Sequence, residues 1–192
     1  PKIVKVLKTN LMGIANLSKE RLIDELRKTL KPNVLESLSK DKIILEIFVS
    51  VFPQLKHFNI FSRLNTNLKD MLSKVDFIFI ISLLIIDETD NVEYFIYKFN
   101  LSKKDQKRIR NISDFYKKKI TSKTFTEKNL NLIFYHSGKE TVLDILNYRI
   151  LKTNKLDNNI LALISKFEKC KKPIWIHYSR GCFWRSNRKH IF

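Results

Sequence analysis

Apolar residues recur three and four apart along most of this chain, the spacing of one face of an α-helix. The plainest case is LSKERLIDELRKTL, residues 17–30, where Leu22, Ile23, Leu26 and Leu30 form one stripe. Ser18 stands where an N-cap belongs, Leu17 and Leu22 have the spacing of a hydrophobic staple, and Glu20 sits in the first turn. Arg21 with Glu25, and Asp24 with Lys28, are four apart and predict pairing across a turn. Pro32 is expected to end the helix. Before it, Ile3, Val4, Leu7 and Leu11 predict a short amphipathic helix, loosened at its end by Gly13.

Residues 34–53 predict one or two helices, stopped by Pro53. Residues 54–70 read as irregular, with Asn59, Asn65 and Asn67 favouring turns. FIFIISLLII, residues 77–86, is the most apolar run and is about half of what a bilayer crossing needs. Periodicity alone would allow a buried strand here, but no second strand-like run exists for it to pair with. It is therefore read as a central buried helix, closed by Asp87 and Asp90. A short helix follows over NVEYFIYKFN.

Residues 101–119 repeat the opening logic, with Ser102 as cap and Asp105 as a short form of the capping-box acid. Ile109, Ile112, Phe115 and Tyr116 form the inner stripe, while Lys103, Lys104, Lys107, Arg108 and Arg110 are expected on the outer face. Three more helices are predicted: one over about residues 126–136, one over KETVLDILNYRILK after a break at Ser137 and Gly138, and one over NNILALISKFEK. Beyond Lys172 the helical stripe disappears.

These elements predict an all-α fold, an irregular multi-helix bundle. Three glycines and four prolines in 192 residues punctuate too few turns for an all-β chain, and 44% hydrophobic residues argue against disorder. The length suits one domain or two small ones.

Charge adds a partner class. Thirty-seven Lys and Arg against 19 Asp and Glu give +18, which suits a polyanion, most simply RNA or DNA. The competing explanation is codon bias, since Lys, Asn, Ile and Phe are all abundant. Cys170 and Cys182 have no metal-ligand spacing and make no disulfide framework, so a reducing cytoplasm is expected. No secretory signal pattern opens the sequence. No phosphate-binding glycine loop and no paired aspartates after a glycine-rich turn occur. His57, His136, His177 and His190 are scattered and read as ordinary surface histidines. DETD, residues 87–90, reads as a solvated helix end before it reads as a metal site. The sequence thus offers no catalytic residue and no metal ligand.

Three stretches resemble one family in order. NLSKERLIDELRKTL resembles the neck motif of class II tRNA nucleotidyltransferases and bacterial poly(A) polymerases. FNLSKKDQKRI, residues 99–109, and LIFYHSGKETVLDILN, residues 132–147, resemble two stretches of that family's helical body. The resemblance covers residues 1–172 and implies a neck-like RNA-binding region over 1–75 and a body-like region over 76–171. In that family the neck motif braces its helix against the catalytic head, so Ser18, Glu20, Arg21 and Glu25 would be structural. The metal-binding carboxylates, and with them Mg2+, belong to the head, and no stretch of this chain matches it. The resemblance therefore implies a fragment, inactive by itself, that binds RNA such as tRNA, and leaves open whether a separate head polypeptide joins it in trans. Lys103, Lys104, Lys107, Arg108 and Arg110 are the candidate phosphate contacts. Family likeness stops after Pro173 and Ile174, so residues 172–192 are expected to be an aberrant, poorly ordered tail such as a frameshift would produce. The alternative is a basic helical scaffold or decayed gene product with no specific partner. A membrane-surface role fits less well, because the apolar stripes are of core size.

Overall fold

Side-chain caps decide where most of the helices begin. The computed structural model describes residues 17–118 and 122–173, together with Gly13. Ser18 accepts from the Arg21 amide at 3.2 Å and opens α1, Lys19–Thr29. Asp41 accepts from the Ile43 and Ile44 amides, both at 3.0 Å, and divides α2, Pro32–Lys40, from α3, Lys42–Val51. Asn65 caps α4, Thr66–Ser73, through the Leu68 amide at 3.0 Å. Asp76 caps α5, Phe77–Ile85, through the Phe79 amide at 3.0 Å. After α6, Asn91–Phe99, the Asp105 amide at 3.2 Å is bound by Ser102 at the start of α7, Lys103–Lys117. Thr126 caps α8, Glu127–Ser137, and Asp157 caps α10, Asn158–Lys169. Each such cap satisfies an amide that the first helical turn leaves without a partner.

Between α8 and α9, Lys139–Thr153, stands Gly138 with φ +89°. A side chain is strained at that dihedral, so glycine permits the sharp junction. Asn100 and Asn154, at φ +46° and +53°, end α6 and α9 in the left-handed conformation that asparagine tolerates better than most residues.

The fold is all-α, an irregular helical bundle, and no strand occurs among the described residues. Every residue of α5 is buried, so the apolar run is the central helix that its sequence predicts. Its lone polar side chain, Ser82, donates back to the Ile78 carbonyl at 2.9 Å, which is how a buried hydroxyl is satisfied inside a helix. Helices α6, α7 and α9 pack around α5. Helix α9 is the second hub and also packs on α4, α7, α8 and α10. One continuous core runs from Leu26 of α1 and its C-cap Leu30 to Phe167 of α10.

Several expectations need correction. Pro32 does not merely end a helix: α1 ends at Thr29, and Pro32 begins α2, where its fixed φ and missing amide cost nothing. Residues 54–70 are regular in large part, with a 3-10 helix over Phe58–Arg63 and then α4. Glu25 pairs with Lys28 at 2.8 Å rather than with Arg21, because three residues bring the two side chains together as well as four. The first predicted helix, over residues 1–12, and the tail beyond Pro173 lie outside the described residues. No helix among the described residues is long and apolar enough to cross a membrane.

Candidate nucleic-acid interface

Helix α7 carries the candidate cations, and its amphipathic pattern sets which way each faces. Ile109 and Ile112 are fully buried against α5 and α9. Lys103, Lys104 and Lys107 lie away from them and are exposed. At 100° per residue the three share an arc of about 100°. None of them is ion-paired with another described residue. Lys104 also reaches the rim of a shallow 410 Å³ hollow with Arg27, Asp105 and Glu140. Three lysines on the first turns of one helix, free of carboxylate partners, can meet successive phosphates of a polyanion.

The two arginines are placed differently. Arg108 does not project from the outer face. Its Nε donates to Asp144 at 2.6 Å and its Nη2 donates to the other Asp144 oxygen at 2.9 Å, a bidentate pair, while Nη1 donates to Asp76. The guanidinium is thus spent on a junction of three helices: α7, α9 and the capping residue of α5. Arg110 is bidentate to Glu93 of α6, at 2.8 and 2.7 Å, and Nη1 donates to Gln106 at 3.1 Å. Both expected phosphate contacts therefore already hold carboxylates.

Ionisation follows from this geometry. The hydrogen bonds to Asp144 hold the proton on Arg108 more tightly than usual, against the effect of burial, and Asp76 adds to them. Burial pushes Asp144 up, and Arg108 pulls it back. Burial also acts to raise Asp76, but the Arg108 guanidinium and the Phe79 and Ile78 amides outweigh it and hold this carboxyl below its ordinary value. Since arginine does not release its proton, the guanidinium stays charged between the two carboxyl groups.

This junction joins two of the stretches singled out in the sequence. Arg108 belongs to FNLSKKDQKRI and Asp144 to LIFYHSGKETVLDILN. The second stretch also supplies Lys139, whose ammonium donates to the carbonyls of Glu168 and Cys170 at 2.9 and 3.3 Å. A cation there complements the negative end of α10. The neck-like residues of α1 are likewise local in their bonding: Ser18 caps, Glu25 holds Lys28, and Glu20 and Arg21 are exposed. Burial of Leu26 and Leu30 seats the helix, and Arg27 lies over the Phe77 ring at 4.6 Å.

At the far end of α7 the structure adds two cations of α9 that the sequence pattern did not single out, Arg149 and Lys152. Lys117 and Lys118 face Arg149 and Lys152 of α9 across a cleft. The spacing of Arg149 and Lys152, three apart on one helix beside Tyr148, was the available signal. Within the acidic run at 87–90, Asp87 binds Lys56 and accepts from the Thr89 hydroxyl at 2.6 Å, while Glu88 and Asp90 are exposed. No group of three or more His, Cys, Asp or Glu among the described residues is placed to hold a metal ion. His57 and His136 lie apart on different elements, and His177 and His190 fall outside the described residues. In comparisons with known proteins, no protein family, no curated protein and no solved structure matches this chain.

Proposed function

We propose that this chain is an RNA-binding helical part of a tRNA nucleotidyltransferase or poly(A) polymerase, working in tRNA 3′-end processing in the cytoplasm. In this reading Lys103, Lys104 and Lys107 contact the phosphates of a tRNA, and the metal-binding carboxylates with their Mg2+ come from a separate head polypeptide. The observation that carries the reading is the unpaired lysine arc on α7 in a chain of net charge +18. Two further features support it. The fold is all-helical, as the resemblance implies, and two of the resembling stretches meet at Arg108 and Asp144. Arg108 and Arg110 then serve as braces that hold α7 in place, leaving the lysines to the RNA.

Titrating tRNA against salt in a filter-binding assay tests this. Sub-micromolar binding at low salt should fall as salt rises, with a log–log slope of about −2 to −3 from three phosphate contacts. Replacing Lys103, Lys104 and Lys107 by Gln should remove about one from that slope per lysine. Failure of the unaltered chain to bind tRNA at low salt would favour a basic scaffold without a specific partner. Adding a head polypeptide and measuring nucleotide incorporation tests the assembly.

A further inference from the structure

The cleft at the C-terminal end of α7 is a separate feature. Helix α7 runs from Lys103 to Lys117, so this end is about 15 Å beyond the last lysine of the arc, Lys107. The cleft has a volume of 660 Å³. His57, Ile86, Asp87, Glu88, Tyr116, Tyr148 and the four cations Lys117, Lys118, Arg149 and Lys152 surround it.

Its charges do not cancel. Lys152 is half-buried, and its ammonium donates to the Ile86 carbonyl at 3.3 Å, with no carboxylate in ion-pair range. That leaves it two further protons to donate. Asp87 could have neutralised it, but Asp87 is held by Lys56 and Thr89. Glu88 is the remaining acid, exposed at the rim in a left-handed conformation of φ +67°. A non-glycine residue in that conformation costs free energy, and such residues gather at functional sites. Within the cleft wall the buried His57 Nε2 has no hydrogen-bond partner. Burial and the neighbouring Lys152 keep His57 below its ordinary pKa, so it is neutral at pH 7 and adds a polar group without adding charge. The tyrosines supply an apolar wall, their rings 4.5 Å apart, with the Tyr116 hydroxyl tied to the Ile145 carbonyl at 2.7 Å.

We propose that this cleft binds a small phosphate monoester, with the dianion seated against Lys152 and Arg149 and the organic part along Tyr116 and Tyr148. A dianion fits because one charge would leave several cations unanswered. A small ester fits better than a nucleic-acid strand, because Lys152 is recessed in the cleft while strand phosphates are met by protruding side chains. The site is independent of the RNA contact, since none of its residues belongs to the lysine arc.

Calorimetric titration with inorganic phosphate, adenosine 5′-monophosphate and a short RNA with hydroxyl ends tests it. The two phosphate probes should bind and compete with each other. Lys152→Met and Arg149→Gln should each weaken adenosine monophosphate binding roughly tenfold or more, by loss of a charge-assisted hydrogen bond. Arg149 is exposed, so its variant reads out binding even if the Lys152 variant folds poorly. Glu88→Gln should tighten binding by removing the opposing charge. Replacing Lys103, Lys104 and Lys107 should leave it unchanged. Equal affinity of the wild type and both cation variants would overturn the proposal. So would displacement by the hydroxyl-ended RNA alone, or no binding of either phosphate probe.

Discussion

Arg108 can be tested as a brace by a double-mutant cycle with Asp144. Arg108→Met removes the guanidinium and keeps the length and apolar stem of the side chain. It strands the Asp144 carboxylate, 9% exposed, with its bidentate partner gone. Removing one member of a buried ion pair costs about 3–5 kcal/mol. Arg108 is itself 23% exposed, so the lower end, about 3 kcal/mol, is expected. Asp144→Asn should cost less, about 1–2 kcal/mol, because Arg108 still holds Asp76. The double variant should cost less than the sum, with a coupling of about 2 kcal/mol. Urea unfolding followed by circular dichroism gives all four stabilities. For a chain of this size a 3 kcal/mol loss lowers Tm by about 6–12 °C. The same variants measured for tRNA affinity under folded conditions should match the wild type. Arg108→Met within about 0.5 kcal/mol of wild type, with zero coupling, would refute the reasoning. A fall in RNA affinity at unchanged stability would show that the guanidinium serves the partner instead.

Other consequences can be measured on the same protein. Burial lowers Lys152 to about 8, so the unfolded chain keeps that proton longer than the native one as pH rises. Stability should therefore climb between about pH 8 and 10.5. The full shift would give about 3 kcal/mol, and partial exposure reduces this to about 1 kcal/mol. Lys152→Met should remove that climb in urea midpoints taken at pH 8 and 10. Above pH 10 the buried tyrosines oppose it, since burial raises Tyr116 and Tyr148 and the native state then keeps their protons. Leu83→Ala in the fully buried α5 should cost about 2–5 kcal/mol by urea unfolding. Ser18→Ala should cost about 1 kcal/mol through loss of the α1 cap. Gly138→Ala should cost about 1–3 kcal/mol by the same assay, through backbone strain alone, because nothing lies within 4 Å of the added carbon.

What could be read in advance was local. Ser18 and Ser102 cap in the positions that their neighbours imply, and α5 is a helix because an isolated strand would have no partner. Helix α4 was hidden because Asn65 serves a turn and a cap with the same oxygen. The two buried leucines after it, Leu68 and Leu72, are too few to make a stripe.

Arg108 was hidden for a different reason. Counting along α7, it sits beside Ile109 and four residues before Ile112, at the edge of the buried stripe rather than opposite it. A side chain there can turn outward to solvent or inward to a carboxylate, and nothing in α7 chooses. The choice is made 36 residues away, by an acid placed between Leu143 and Ile145 on a helix whose neighbours are apolar. An aspartate in such a run must either ionise against a cation or remain protonated at a cost, so its presence requires a partner on a facing helix. The unpaired ammonium of Lys152 poses the converse requirement in the cleft: a half-buried cation without a carboxylate is a place where an anion from outside is stabilised. The same rule therefore separates the two kinds of cation in this bundle. Those already answered by Asp144, Asp76 and Glu93 hold helices together, and those left unanswered on α7 and α9 are available to a ligand.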